Sequence, residues 1–178
     1  MDAAPAIPAA RKVRRWDFAA TDPQEKTSSD PDYTVGLLLG EVGGVYYVLD
    51  VVRDQVSPAG VERMLKNTAL QDGKSIKVRI PQDPGAAGKS NAAHQVKLLA
   101  GWDVKAVLES GSKQVRLTPV EAQAEAGNVK LIRAPWNQAF LDEICDIPNG
   151  KHDDQGDGLS GAFAELVTGS TYNLGNAL

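Results

Sequence analysis

The chain has 178 residues, of which 42% are hydrophobic, 24% charged and 6% aromatic, enough apolar material for the core of one domain. Lys and Arg number 19 against 23 Asp and Glu, so the formal charge is −4, which argues against a bulk polyanion binder of the usual basic kind. A lone cysteine, Cys145, excludes an internal disulfide and a cysteine-built zinc site.

MDAAPAIPAARK has no apolar run of signal-peptide length, and no stretch of about 18 apolar residues occurs later, so the expectation is a soluble protein of the cytoplasm. Residues 1–11 are Pro/Ala-rich and without periodicity, and they read as a disordered lead-in or linker; residues 168–178 read as a flexible tail. VRRWDFAA then suits a strand, with Asp17 inside it, an unusual place for an aspartate. After the polar TDPQEKTSSDPD come YTVGLLLGEV and VYYVLDVVRD, two apolar runs joined by Gly43-Gly44, a strong hairpin signal. Three strands with short connections predict an antiparallel meander.

The period changes at residue 57. Ser57 is placed as an N-cap and Pro58 as the first helical residue, with Val61, Met64, Leu65 and Ala69 on one face. SIKVRIP predicts a strand, SNAAHQVKLLAG a helix and DVKAVLES a strand, so the added strands are expected to run parallel through right-handed crossovers. Residues 118–126 read as a helix, NVKLIR as a short strand, WNQAFLDEICD as a helix, and DDQGDGLSGAFAELV as a last helix burying Leu159, Ala162, Phe163 and Leu166. A three-strand antiparallel meander followed by parallel β-α-β units and closing helices is the order of a ribonuclease H-like α/β domain with a mixed sheet.

Three acidic segments stand out. Asp17 sits in the first strand, Asp83 follows the strand IKVRIP, and Asp153, Asp154 and Asp157 crowd the start of the last helix, where spacings of three and four share a face. Bland alternatives exist: capping of the last helix for Asp153 and Asp154, and an Asx turn before proline for Asp83. Asp17 is harder to explain away, because a carboxylate in an apolar strand needs a partner, and a divalent cation supplies one. Oxygen ligands from separate segments suit Mg²⁺ or Mn²⁺, and two ions about 3.5–4 Å apart serve phosphodiester hydrolysis.

RRWDFAA, DYTVGLLLGEVGGVYYVLDVVRD, IPQDPGAAGKS, KQVRLTP, EAGNVKLI and FLDEICDIPNGKHDDQGDGLSGA, in that order, resemble the C-terminal nuclease domain of the large terminase subunit of tailed bacteriophages. The resemblance covers about residues 12–167, and its most specific part is HDDQ-x-D before a small-residue helix. It implies a domain that cuts concatemeric double-stranded viral DNA during packaging, in the host cytoplasm, at a divalent-metal site. Carried over by position, Asp17, Asp83 and Asp154 are the metal-holding catalytic acids, Asp153 and Asp157 neighbours able to bind or orient metal, and Asp22 a weaker accessory acid. The implied partners are an ATPase motor domain, the small terminase subunit and the portal protein.

The chain departs from a whole large subunit in carrying no Walker A loop. In DPGAAGKS the required first glycine falls at position 83, which is Asp, so Gly85, Gly88, Lys89 and Ser90 are expected to form a flexible loop beside the acids. The expectation is an isolated nuclease domain. A DNA substrate needs positive surface: Arg11, Lys12, Arg14 and Arg15 cluster before Asp17, and Lys89, Lys113, Arg116 and Lys151 are expected to line the DNA path. His152 reads as a turn residue or accessory ligand, His94 as a surface or core-edge residue, Trp16, Trp102 and Trp136 as core, and Cys145 as a buried small hydrophobe. The alternative is a non-catalytic ribonuclease H-like module docking within a packaging motor; a phosphate-binding loop protein is the third reading.

Overall fold

The computed structural model describes residues 11–19, 31–108 and 111–168; Asp22 lies outside them, as do the lead-in expected at residues 1–11 and the tail expected at 168–178 except for Arg11, which opens the first strand, and Thr168, which ends the last helix. Strands β1 (Arg11–Asp17), β2 (Thr34–Val42) and β3 (Val45–Asp54) form the antiparallel meander. The turn between β2 and β3 consists of Gly43 and Gly44 at φ 57° and 81°, the left-handed pair a two-residue hairpin requires. Helix α1 (Pro58–Asp72) follows, its cap Ser57 accepting from Gly60 N–H, then β4 (Lys77–Pro81), α2 (Gly85–Leu98) and β5 (Val104–Val107). Helix α3 (Lys113–Glu125), β6 (Val129–Leu131), α4 (Asn137–Asp146) and α5 (Asp154–Thr168) complete the order.

The six strands lie in the order β5-β4-β1-β2-β3-β6, with β4 parallel to β1, β5 parallel to β4, and β6 parallel to β3 at the far edge. Alternation along β1 sends Val13 to one face and Trp16 to the other, and each face carries its own core. On one side Val13, Val35, Leu37, Leu39 and Val48 meet Val120 of α3, Phe140 of α4 and Leu159, Ala162, Phe163 and Leu166 of α5. On the other, Trp16, Val78 and Ile80 meet Leu65 and Ala69 of α1 and Leu99. This is the expected mixed sheet between helical layers, and the expected buried face of the last helix.

Small residues set how closely α5 lies on the sheet. A Cβ at Gly161 would be 2.6 Å from Arg15 Nε, so the buried Arg15 side chain lies directly against the helix backbone there, while one at Gly158 would be in ordinary contact, 3.5 Å from Leu37 Cβ.

Several expectations are corrected. Gly85 to Ser90 are no flexible loop; they form the first turns of α2, because Ala86 and Ala87 are strong helix formers and Gly85, at φ 92°, turns the chain into the helix. Helix α3 begins at Lys113, well before residue 118, since Ser112 caps it by accepting from Val115 N–H and Pro119 is accommodated inside. Arg14 and Arg15 are no part of a basic surface: both are 2% exposed. Arg14 is drawn inward by a two-pronged pair with Asp72 at 2.8 and 2.7 Å and by Asp50 at 2.8 Å, while Arg15 lies under Gly161. Cys145 is exposed, because Phe140 and Glu143 take the buried positions of its helix. The tryptophans pack as expected: Trp16 is 1% exposed, Trp102 donates its indole N–H to Ala69 O at 3.1 Å, and Trp136 meets Phe140 edge to face. His94 is on the surface and bonds Glu62 of α1 at 2.9 Å.

Candidate metal centre

Parallel pairing fixes which ends of the strands share an edge. Arg15 of β1 is in register with Arg79 of β4, so both strands point their carboxyl ends the same way, and Asp17 and Asp83 leave the sheet at one end. Asp17 is the last residue of β1, half-buried and paired with Val35, and Asp83 lies two residues past β4 and is exposed. Helix α5 starts over the same end, since Gly158 lies against Val35 and Leu37. The sheet therefore brings all three acidic segments to one end.

Asp154 is the most enclosed of these acids, at 8% exposure, and its Oδ2 accepts from the backbone N–H of Tyr33 at 3.1 Å. Burial pushes its carboxyl above the ordinary aspartate range, and the charges of Glu143, Asp32 and Asp153 push the same way, against the lowering by the Tyr33 N–H. Among the described residues, ligand atoms of Asp32, His152 and Asp154 lie within 4.8 Å of one another, a group of metal-binding type. Asp17 and Asp83 are not members of that group. His152 Nδ1 stands 3.8 Å from Asp154 Oδ2, and its ring meets Tyr33 edge to face at 5.1 Å. Asp32 escaped sequence reasoning because it lies in a run of turn-forming residues; its only signal is its place just before β2, opposite the end of β1.

Asp153 and Asp157 have partners on α3. Lys113 Nζ contacts Asp153 Oδ1 and lies 2.6 Å from Asp157 Oδ2, and Arg116 Nη2 is 2.5 Å from Asp157 Oδ1. Burial alone would lower the Lys113 ammonium's pKa, but hydrogen bonds and charge from Asp153 and Asp157 outweigh it and hold it above the ordinary lysine value. Two cations expected on the DNA path thus meet two acids expected near the metal, tying α3 to α5. Lys89 of α2 and Lys151, just before His152, are exposed.

A divalent cation fits these donors. Asp154 is a buried carboxylate whose neighbours are mostly acids, so its negative charge is held at a cost that a cation would offset, and hard oxygens with one imidazole are suitable ligands.

The profile of a family described as the terminase RNase H-like domain matches residues 14–166. The chain belongs to that family. Its fold is shared with the large terminase nuclease of thermophilic phage G20c with bound zinc, at 18% identity and a TM-score of 0.64, covering 89% of this chain and 83% of that one. The human cytomegalovirus terminase nuclease domain, manganese-soaked and inhibitor-bound, is 9% identical with a TM-score of 0.63, over 86% and 82% of the two chains. Fowlpox virus resolvase in complex with Holliday junction DNA is 8% identical with a TM-score of 0.54, over 88% and 97%. No protein of curated function matches the sequence. Within this terminase-type domain no described helix is long and apolar enough to cross a membrane.

Proposed function

We propose that this terminase RNase H-like domain is a divalent-metal-dependent endonuclease that cuts concatemeric double-stranded viral DNA during genome packaging, in the cytoplasm of the infected host. The observation that supports it most is the meeting of the ends of β1 and β4 with the start of α5, which gathers Asp17, Asp83 and buried Asp154 at one end of the sheet. These three would hold the metal, with Asp32 and His152 beside Asp154 and with Asp153 and Asp157 orienting the same face. Two Mg²⁺ or Mn²⁺ ions, when bound, would supply an activated water and stabilise charge on the phosphodiester oxygens.

The chain's own residues bind and position. Lys89 and Lys151, exposed around the acidic end, and Lys113 and Arg116, on the face α3 shares with α5, would contact the DNA backbone. The phage G20c nuclease has been crystallised with zinc, magnesium and cobalt, and the cytomegalovirus domain was soaked in manganese, which supports a divalent-metal requirement here. The ATPase domain, small terminase subunit and portal are the partners such a domain would work with.

Nicking of supercoiled plasmid with Mg²⁺ or Mn²⁺ tests the reading. Wild type should nick, and Asp17→Asn, Asp83→Asn and Asp154→Asn should not. Equal nicking by wild type and Asp17→Asn would refute the site; intact plasmid together with no metal uptake would favour a docking module.

A further inference from the structure

Glu143 of α4 is a carboxylate the proposed chemistry does not use, yet it is 8% exposed, and burying a charge that deeply is costly unless every oxygen is matched. Both are. Oε1 accepts from the backbone N–H of Gln155 at 2.6 Å, and Oε2 accepts from Gln155 Nε2 at 2.6 Å and pairs with Arg53 Nη2 at 3.2 Å. Gln155 is itself 1% exposed, and its Nε2 also reaches Ala139 O at 3.2 Å.

The Gln155 N–H is one of the first in α5, which have no acceptor within the helix, and an anion there is favoured by the helix dipole. The residue before the helix is Asp153, a good cap by type, but its carboxylate is engaged with Lys113. A side chain from another helix supplies the anion instead. From Glu143 a second path runs through Arg53, whose guanidinium carbon stacks 3.4 Å above the centre of the Tyr33 ring. Tyr33 in turn donates its backbone N–H to Asp154 Oδ2 and sets its ring edge on His152. One path ends on the residue bonded to Asp154 and the other on the Asp154 carboxylate.

We propose that Glu143 is a positioning residue, which through Gln155 and through Arg53 and Tyr33 fixes Asp154 in the orientation that takes up the metal. The inference rests on the reading of Asp154 as a metal ligand. Glu143 also places a negative charge near Asp154, which raises the value of a cation at that spot.

Calorimetric titration of the full chain with Mn²⁺ tests it, using Arg53→Ala, Glu143→Ala and the double variant, with melting of the metal-free proteins as the control for folding. Loss of groups that orient metal ligands weakens binding by about 10- to 100-fold. Arg53→Ala, whose side chain is 23% exposed in the native protein, should fold and bind Mn²⁺ about tenfold more weakly. Glu143→Ala should lose more, and adding Arg53→Ala to it should cost little further, because the Arg53 path begins at Glu143. Wild-type affinity in Arg53→Ala overturns the inference even if Glu143→Ala fails to fold, and so does a double variant whose loss is the product of the two. Wild type that takes up no Mn²⁺ overturns the metal-site reading and this inference together, whereas binding abolished by Asp154→Asn but untouched by Arg53→Ala and Glu143→Ala overturns the inference alone.

Discussion

Gly88 sits in the first turns of α2, and the chain entering that helix folds back across it. A Cβ at this position would lie 2.3 Å from Asp83 O and 2.7 Å from Asp83 Cβ, whereas ordinary contact begins at 3.4 Å, so Gly88→Ala requires the Asp83 backbone to withdraw by about 1.1 Å. A carbonyl cannot rotate out of the way as a side-chain tip can. Alanine gains about 1 kcal/mol over glycine in a helix interior, and overpacking costs about 1–3 kcal/mol. The net loss is therefore about 0–2 kcal/mol, a shift of at most about 8 °C in Tm for a domain of this size. Misplacing a reacting group by about 1 Å costs on the order of 100-fold in rate. The expected signature is a modest thermal shift with plasmid nicking reduced on the order of 100-fold. Activity and Tm both equal to wild type would show that Asp83 is not held by this contact; activity lost only in proportion to the unfolded fraction would show that its position does not matter.

Asp154→Asn should raise the Tm of the metal-free protein at neutral pH. The folded-state pKa of Asp154 is raised, so its stabilising contribution is complete below its unfolded pKa and is lost as pH rises through the folded one; the variant should flatten the Tm profile above the ordinary aspartate range and remove the Tm gain on adding Mn²⁺. Lys113→Ala should cost only about 0.2–1 kcal/mol, because its pair with Asp153 is half-exposed and Asp157 keeps Arg116 as a partner, and, with its pKa raised, its contribution should hold through neutral pH and disappear only above the ordinary lysine range. Combined with Arg116→Ala it should reduce the salt slope of duplex binding by about 2, and an unchanged slope would remove both from the DNA path. Arg14→Ala, read by denaturant unfolding, should cost about 3–5 kcal/mol because it strands Asp72, whose side chain is 7% exposed, without its cation; a loss under 1 kcal/mol would contradict the burial argument.

The elements were legible where one period ran unbroken between clear stops. Gly43-Gly44 announced the β2–β3 hairpin, Ser57-Pro58 announced α1, and the spacing of Leu159, Ala162, Phe163 and Leu166 announced the buried face of α5. Legibility failed where a local signal competed with a tertiary one. Pro119 masked the continuity of α3, and glycines that let α2 pack on Asp83 resembled a loop. The acids followed the same rule. That Asp17, Asp83 and Asp154 leave one end of the sheet was readable from the strand pattern, since Asp17 lies in the first strand, Asp83 follows the strand IKVRIP and Asp154 opens the last helix, but that Lys113 and Arg116 meet Asp153 and Asp157 depends on how α3 lies on α5. Asp32, and the chain of contacts from Glu143 to Tyr33, join residues from α4, β3 and the segment before β2, and no spacing in the sequence records that.

Charge then decides whether the proposed DNA substrate can be held. The chain carries −4, and the acids at the end of β1, β4 and α5 concentrate negative charge at the place where a phosphodiester would have to sit. Lys113 and Arg116 offset Asp153 and Asp157 but leave Asp154 among acids. Two divalent ions would take the formal charge from −4 to zero and would do so at the acidic end itself. Duplex binding should therefore require metal as well as basic residues. Anisotropy of a labelled duplex, at matched ionic strength, should show tighter binding in Ca²⁺, an oxygen-ligated divalent ion, than in EDTA. The gain should vanish in Asp154→Asn. Equal affinity in EDTA would mean that DNA is held away from the acidic end, and that end could then not be where its backbone is cut.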